Sequence, residues 1–225
     1  MSAEAPRRRY RLLVFDWDGT LVDSIGSIVA CMRATTAELG LPELDAARVR
    51  GTIGLGLADT LATLLPGAGA EVHRRVVECY RAHWLGGYGT RHAMIRGARK
   101  TLEQLGRSGF WLAVATGKSR AGLERDLERF DLGGTFLATR TPDEAPGKPG
   151  PEMVEGILAE LGVRSVEALV VGDTVHDQRM AASAGTPFVA VASGSVCAEE
   201  LAGLGPLAVL PDVTHLPGWL AGPDG

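Results

Sequence analysis

Short apolar runs alternate with helical patterns along most of this chain, and that alternation restricts the fold more than any other feature. Leu12 to Asp16, Trp111 to Thr116, Thr135 to Thr139, Ala168 to Asp173, Phe188 to Ala192 and Leu207 to Leu210 are rich in Val, Leu, Ala and Phe. Runs of this length and type read as strands buried on both faces. Between them, Ala98 to Leu105, Arg120 to Phe130, Glu152 to Leu161 and Asp177 to Ala184 carry helical patterns, with Gly106, Gly109, Gly162 and Gly185 near their ends as stop signals. Strand then helix, repeated, predicts an α/β fold: a doubly wound parallel sheet covered by helices.

One stretch departs from the alternation. From about Ile25 to about His92, apolar residues recur only at helical spacing: Ile28, Val29, Met32, Thr35, Thr36 and Leu39; then Leu57, Leu61, Leu64 and Leu65; then Val72, Val76, Val77 and Tyr80. These segments predict a small helical bundle inserted after the first strand, jointed at Gly51 to Gly56 and Gly86 to Gly89. The expected division is a core of residues 1–24 and 93–225 and a helical cap of residues 25–92. The tail after Leu216, with Pro217, Pro223 and three glycines, is expected to be loosely held.

Composition narrows the function classes. At 225 residues with 45% hydrophobic content, the chain can bury a sizeable core. A formal net charge of −4 gives no electrostatic footprint for nucleic acid or an anionic membrane, and Arg7-Arg8-Arg9 reads as a solvated tail. No apolar stretch is long enough to span a bilayer and the start makes a poor signal peptide, so the cytoplasm is the default expectation. Cys31, Cys79 and Cys197 are odd in number and widely spaced, which indicates neither a disulfide framework nor a zinc site; buried, reduced thiols are expected.

Polar groups gather at the ends of the expected strands, where open parallel sheets bind ligands. Leu12 to Ser24 delivers Asp16 and Asp18 from one strand into a Gly19-Thr20 turn, and residues two apart in a strand point to the same side. Alone, this string also reads as a simple cap and turn, while a calcium loop lacks its closing Glu. Three further signals share the same edge. Thr116-Gly117-Lys118 could present a hydroxyl and an unobstructed amide to a phosphoryl oxygen. Lys148 could supply a point charge for the phosphate. Asp173, with Asp16 and the main-chain carbonyl of Asp18, offers oxygens to a hard cation such as Mg²⁺, and Asp177 is suited to a metal water or to holding Lys148. Lys118 is expected to point to solvent, and His176 lacks any second ligand at metal spacing.

Taken together, these residues resemble the haloacid dehalogenase superfamily, in its phosphatase branch with a cap after the first strand. The likeness rests on Asp16-Trp17-Asp18-Gly19-Thr20-Leu21-Val22-Asp23-Ser24, Thr116-Gly117-Lys118, Gly147-Lys148-Pro149 and Val171-Gly172-Asp173-Thr174-Val175-His176-Asp177. Within the superfamily the chain is similar to the phosphoglycolate phosphatase-like group. The resemblance implies a Rossmann-like core, an Asp16 nucleophile that forms an aspartyl-phosphate, and Asp18 as general acid and then general base. It also implies Lys148 as a catalytic and substrate-binding cation, Thr116 and Gly117 at the phosphate, and Mg²⁺ at Asp16, Asp18, Asp173 and Asp177. Arg50 to Gly56 resembles a loop that reaches toward substrate in relatives; a Gly-rich helix break with a surface Arg50 is an equal reading. The expected substrate is a small phosphorylated metabolite, 2-phosphoglycolate first, and the expected state a monomer or homodimer. A sugar phosphomutase, or a pyrophosphatase or nucleotide phosphatase, is the alternative.

Overall fold

The computed structural model describes residues 9–223. The chain begins with strand β1 (Leu12–Phe15), the two-residue strand β2 (Val22–Asp23), helices α1 (Ile25–Glu38), α2 (Ala46–Arg50), α3 (Leu57–Leu64) and α4 (Ala70–Leu85), and a second short strand, β3 (Ala93–Met94). Helix and strand then alternate through α5 (Ala98–Arg107), β4 (Trp111–Ala115), α6 (Arg120–Arg129), β5 (Ala138–Arg140), α7 (Glu152–Leu161) and β6 (Ala168–Gly172). The last elements are α8 (Val175–Ser183), β7 (Phe188–Val191), α9 (Ala198–Ala202), β8 (Val209–Leu210) and α10 (Leu216–Leu220).

Six strands form one sheet in the order β5-β4-β1-β6-β7-β8, with every neighbouring pair parallel. The fold is thus the doubly wound α/β arrangement that the alternation predicts. A strand's period of two lets β1 build both halves of the core at once. Leu12 and Val14 pack with Met153, Ile157 and Met180, while Leu13 and Phe15 pack with Leu102, Leu123 and Leu216 on the other face. Burying each such side chain contributes roughly 1.5–3 kcal/mol. From β1 the chain moves out through β4 to β5, then returns to β6 on the opposite side. Strand order therefore reverses at β1, which places a ligand crevice beyond its carboxyl end.

Helices α1 to α4 surround a separate apolar cluster that includes Val29, Met32, Val49, Leu61, Leu64 and Val76. The chain leaves and re-enters the core through β2 and β3, which pair antiparallel with Val22 opposite Met94 and Asp23 opposite Ala93. Arg129 of α6 holds the returning linker, its guanidinium donating to the carbonyls of Gly89, Thr90 and His92 at 3.1, 2.9 and 2.8 Å.

Several expectations need correction. The strand expected over Thr135 to Thr139 is β5, which starts at Ala138; Thr135 instead closes the turn after α6 by donating its amide to Leu132. The strand expected from Leu207 starts at Val209. The tail is not loose after Leu216: Leu216, Trp219 and Leu220 fall at helical spacing, Leu216 is fully buried, and Trp219 stacks on Tyr10 with ring centroids 6.3 Å apart. Those apolar contacts outweigh Pro217 and Gly218. Of the three free cysteines Cys31 is buried, but Cys79 is half-buried and Cys197 exposed. Arg7 and Arg8 of the basic run, and Gly225 of the tail, lie outside the described residues. Among the described residues, no helix is long and apolar enough to cross a membrane.

Candidate active site

The sheet register brings three polar residues together. Phe15 ends β1 level with Val114 of β4 and Val171 of β6. Asp16, Thr116 and Asp173 are each the first residue after their strands, so they emerge side by side. The Asp16 amide donates to the Val171 carbonyl at 2.9 Å, which fixes its height in the crevice. Lys148, from the segment after β5, places its ammonium 2.5 Å from Asp16 Oδ1 and 2.6 Å from Asp177 Oδ1. The second contact is an ion pair whose angles do not make a hydrogen bond. Asp177 opens α8, where its Oδ2 accepts from the Thr174 amide at 3.0 Å and hydroxyl at 2.6 Å.

Asp173 accepts from the Thr20 hydroxyl at 3.0 Å and the Ser195 amide at 2.9 Å. Gly19 carries the chain past it with φ of 92°, and a Cβ there would run into the Asp173 carboxylate. The turn after Asp18 thus requires glycine for both its backbone conformation and its close approach.

Asp18 has a different environment. Its Oδ1 accepts from the Ser24 hydroxyl at 2.6 Å and from Lys118 Nζ at 3.2 Å. Lys118 is therefore not directed to solvent: its side chain is only 8% exposed. It bridges Asp18 and Asp126, 3.3 Å away, and lies 4.9 Å from the centre of the Trp84 ring on α4. Asp126 is fixed in turn by the Trp17 indole at 3.0 Å and by His92 at 3.3 Å. Two carboxylates and an aromatic face replace the water that Lys118 gives up.

The charges perturb one another. Burial pushes Asp16 well above the ordinary carboxylate range; Lys148 opposes this, while Asp177 and Asp173 add to it. Burial and the charge of Asp177 push Asp173 up to about 7. Burial alone would lower Lys148 and Lys118, but the attraction of Asp16 and Asp177 in one case, and of Asp18 and Asp126 in the other, raises both. Asp126 is lowered: burial works against ionisation, and hydrogen bonds from His92 and Trp17 together with the charge of Lys118 outweigh it.

Carboxylate oxygens of Asp16, Asp173 and Asp177 lie within 4.8 Å of one another, and Asp16 Oδ2 is buried without a hydrogen-bond partner. Three buried carboxylates facing one close ammonium lack positive charge, and an all-oxygen donor set suits a hard divalent cation. The Asp18 carboxylate is not in this group, which leaves its main-chain carbonyl as the oxygen it can offer.

A cleft of about 800 Å³ separates this floor from the cap. Asp16, Asp18 and Thr116 to Lys118 line it from below, and α1, α4 and the 51–56 loop from above. That loop sits directly on the turn after β4: a Cβ on Gly117 would collide with the carbonyl oxygens of Gly54 and Leu55. Arg50 does not line the main cleft. It borders a smaller hollow with Thr174 and His176, whose Nε2 lies 3.2 Å from the Gly51 carbonyl. Ser24 lies in the first motif, which gives it no chemical task, and Lys118 by its type and place alone reads as solvated. Thr20 likewise had no role; Asp126 and Ser195 carry no local signal, because packing alone brings them here.

These features define a capped, doubly wound α/β enzyme with an acidic centre at the switch point of its sheet. Residues 13–191 match the pattern of the haloacid dehalogenase-like hydrolases, and the chain belongs to that family as one of its phosphatases. A phosphoglycolate phosphatase of Rhodospirillum rubrum is 32% identical over 230 residues, 95% of this chain and 92% of the relative. A phosphoglycolate phosphatase of Aquifex aeolicus is 34% identical over 177 residues, covering 78% of this chain and 82% of its own. The solved structure of a hydrolase from Pseudomonas syringae is similar with a TM-score of 0.85 at 26% identity, over 93% of this chain and 97% of that one.

Proposed function

We infer that the protein hydrolyses a small phosphate monoester through an aspartyl-phosphate on Asp16, with Mg²⁺ as cofactor and 2-phosphoglycolate as the first candidate substrate. The separation of two neighbouring aspartates carries this reading. Asp16 lies among Lys148, Asp173 and Asp177, whereas Asp18 is held apart by Ser24 and Lys118. Two carboxylates in unlike surroundings suit two unlike tasks, attack and proton transfer. The phosphoglycolate phosphatases among the relatives support the choice of substrate.

Asp16, Asp173 and Asp177, with the Asp18 carbonyl, would hold Mg²⁺. The ion supplies charge that offsets repulsion between these carboxylates and an incoming phosphate. The chain's own groups do the rest. Lys148 opposes the burial that disfavours the ionised, attacking form of Asp16 and attracts the phosphoryl oxygens, while the Thr116 hydroxyl and Gly117 amide orient them. An Asp16 oxygen bonds to phosphorus as the bond to the leaving oxygen breaks, and Asp18 delivers a proton to that oxygen. Asp18, now ionised, takes a proton from water; the water oxygen bonds to phosphorus, freeing Asp16 and inorganic phosphate.

The cleft favours a second reading for the substrate alone. Its cap wall includes Met32, Ile53, Tyr80 and Trp84, and its volume of about 800 Å³ far exceeds what a two-carbon phosphate ester fills. A nucleotide or another ester with a large leaving group would use that space. Phosphate release measured with Mg²⁺ against 2-phosphoglycolate, nucleoside monophosphates, sugar phosphates and pyrophosphate tests both readings. The expected result is highest kcat/KM for 2-phosphoglycolate; tenfold preference for a nucleotide selects the second reading, and isomerised sugar phosphate without phosphate release selects a mutase. Asp16→Asn should lower turnover by about a thousandfold or more. Asp18→Asn should accumulate phosphoenzyme, and EDTA should stop turnover; an enzyme indifferent to all three overturns the mechanism.

A further inference from the structure

A second group of potential ligands lies outside the cleft. Glu38 ends α1, while Cys79 and His83 are four residues apart on α4 and therefore share one face of that helix. One ligand atom from each of the three lies within 4.8 Å of the others. His83 Nε2 approaches Glu38 Oε2 to 2.9 Å, yet it is buried and makes no hydrogen bond. The nitrogen is thus directed at the Glu38 carboxylate, which it can meet as an ion pair when protonated, without a hydrogen bond to hold it there. The Glu38 side chain is 62% exposed, which gives a path from solvent. No short sequence motif reveals this arrangement, because its third member comes from the neighbouring helix.

We propose that Glu38, Cys79 and His83 form a binding site for a borderline-soft divalent cation of the Zn²⁺ type, joining α1 to α4. Thiolate, imidazole and carboxylate together select such an ion over Mg²⁺, and three protein ligands leave a position for water. The donor set contrasts with the all-oxygen cluster of the active site, so one protein would sort hard and soft cations between two places. Binding releases the Cys79 thiol proton to solvent as the sulfur–metal bond forms. Met32 on α1 and Tyr80 and Trp84 on α4 line the catalytic cleft, so the ion would tie together two of its walls.

Co²⁺ titration of the reduced full-length protein under saturating Mg²⁺ reads the site directly, because a near-ultraviolet thiolate-to-cobalt band cannot arise from the carboxylate cluster. The expected result is such a band saturating at one equivalent and displaced by Zn²⁺. Cys79→Ser should abolish it, and Cys197→Ser should leave it intact. His83→Gln and Glu38→Gln should each weaken binding by about tenfold or more, while their circular dichroism and phosphate release with Mg²⁺ stay unchanged. No band in the wild type, or a band that survives Cys79→Ser, overturns the proposal. So does unchanged affinity in both His83→Gln and Glu38→Gln.

Discussion

Asp173 is buried beside Asp177, and its environment sets a pH dependence whose sign can be worked out. Its carboxyl, ordinarily near 3.8, is pushed up to about 7 in the fold, so between those values the folded protein keeps a proton that the unfolded chain has released. Stability in the absence of divalent cations should therefore fall as pH rises through that window. Asp173→Asn removes the charge and keeps the contacts: the Ser195 amide can donate to the remaining oxygen, and the Thr20 hydroxyl can accept from the new amide. In melting curves with EDTA the variant should lose less stability than the wild type between about pH 4 and pH 7, and should be the more stable by about 1–2 kcal/mol above it. Mg²⁺ should raise the wild-type melting temperature more at high pH than at low pH, and the variant should be inactive. Lys118 shows why residue-scale reading has a limit. Its burial depends on Asp126 of α6, Trp84 of α4 and the Trp17 indole behind Asp126, three contacts that no local spacing announces.

At the scale of elements, the turn between β4 and α6 joins the floor of the cleft to the cap. Gly117 faces the carbonyls of Gly54 and Leu55, so Gly117→Ala must displace either its own turn or the cap loop. Both are loops, so the thermal midpoint should move little. A displacement on the order of 1 Å at a positioning group should nevertheless lower kcat/KM by about tenfold to a hundredfold, measured on the best ester of the panel. Legibility follows element length and pattern. The unbroken apolar runs of β1, β4, β6 and β7 and the periodic helices α5, α6 and α7 could be read because consecutive residues repeat one preference. Strands β2 and β3 could not, since two residues establish no period. Helices α9 and α10 are five residues each and hidden among prolines and glycines. The strand ends holding Asp16, Thr116 and Asp173 were legible as a set, because parallel order places all carboxyl ends on one edge; the pairing of Asp18 with Lys118, 100 residues further along the chain, was not.

At the scale of the whole molecule, the carboxyl-terminal helix closes the layer of side chains beneath β1. Leu216 is fully buried in the cluster that contains Leu13, Phe15 and Leu102. Leu216→Ala should cost about 2–4 kcal/mol in denaturant unfolding, with KM unchanged because no part of the cleft is touched. The β2–β3 ribbon has a broader consequence. It brings the two crossings of the chain side by side, so from the core's standpoint the helices between them amount to one loop whose ends are already joined. Doubling the length of such a loop costs only about 0.6 kcal/mol of closure entropy. The ribbon thus works as a socket: the core beneath it is nearly indifferent to the length of the cassette plugged in above.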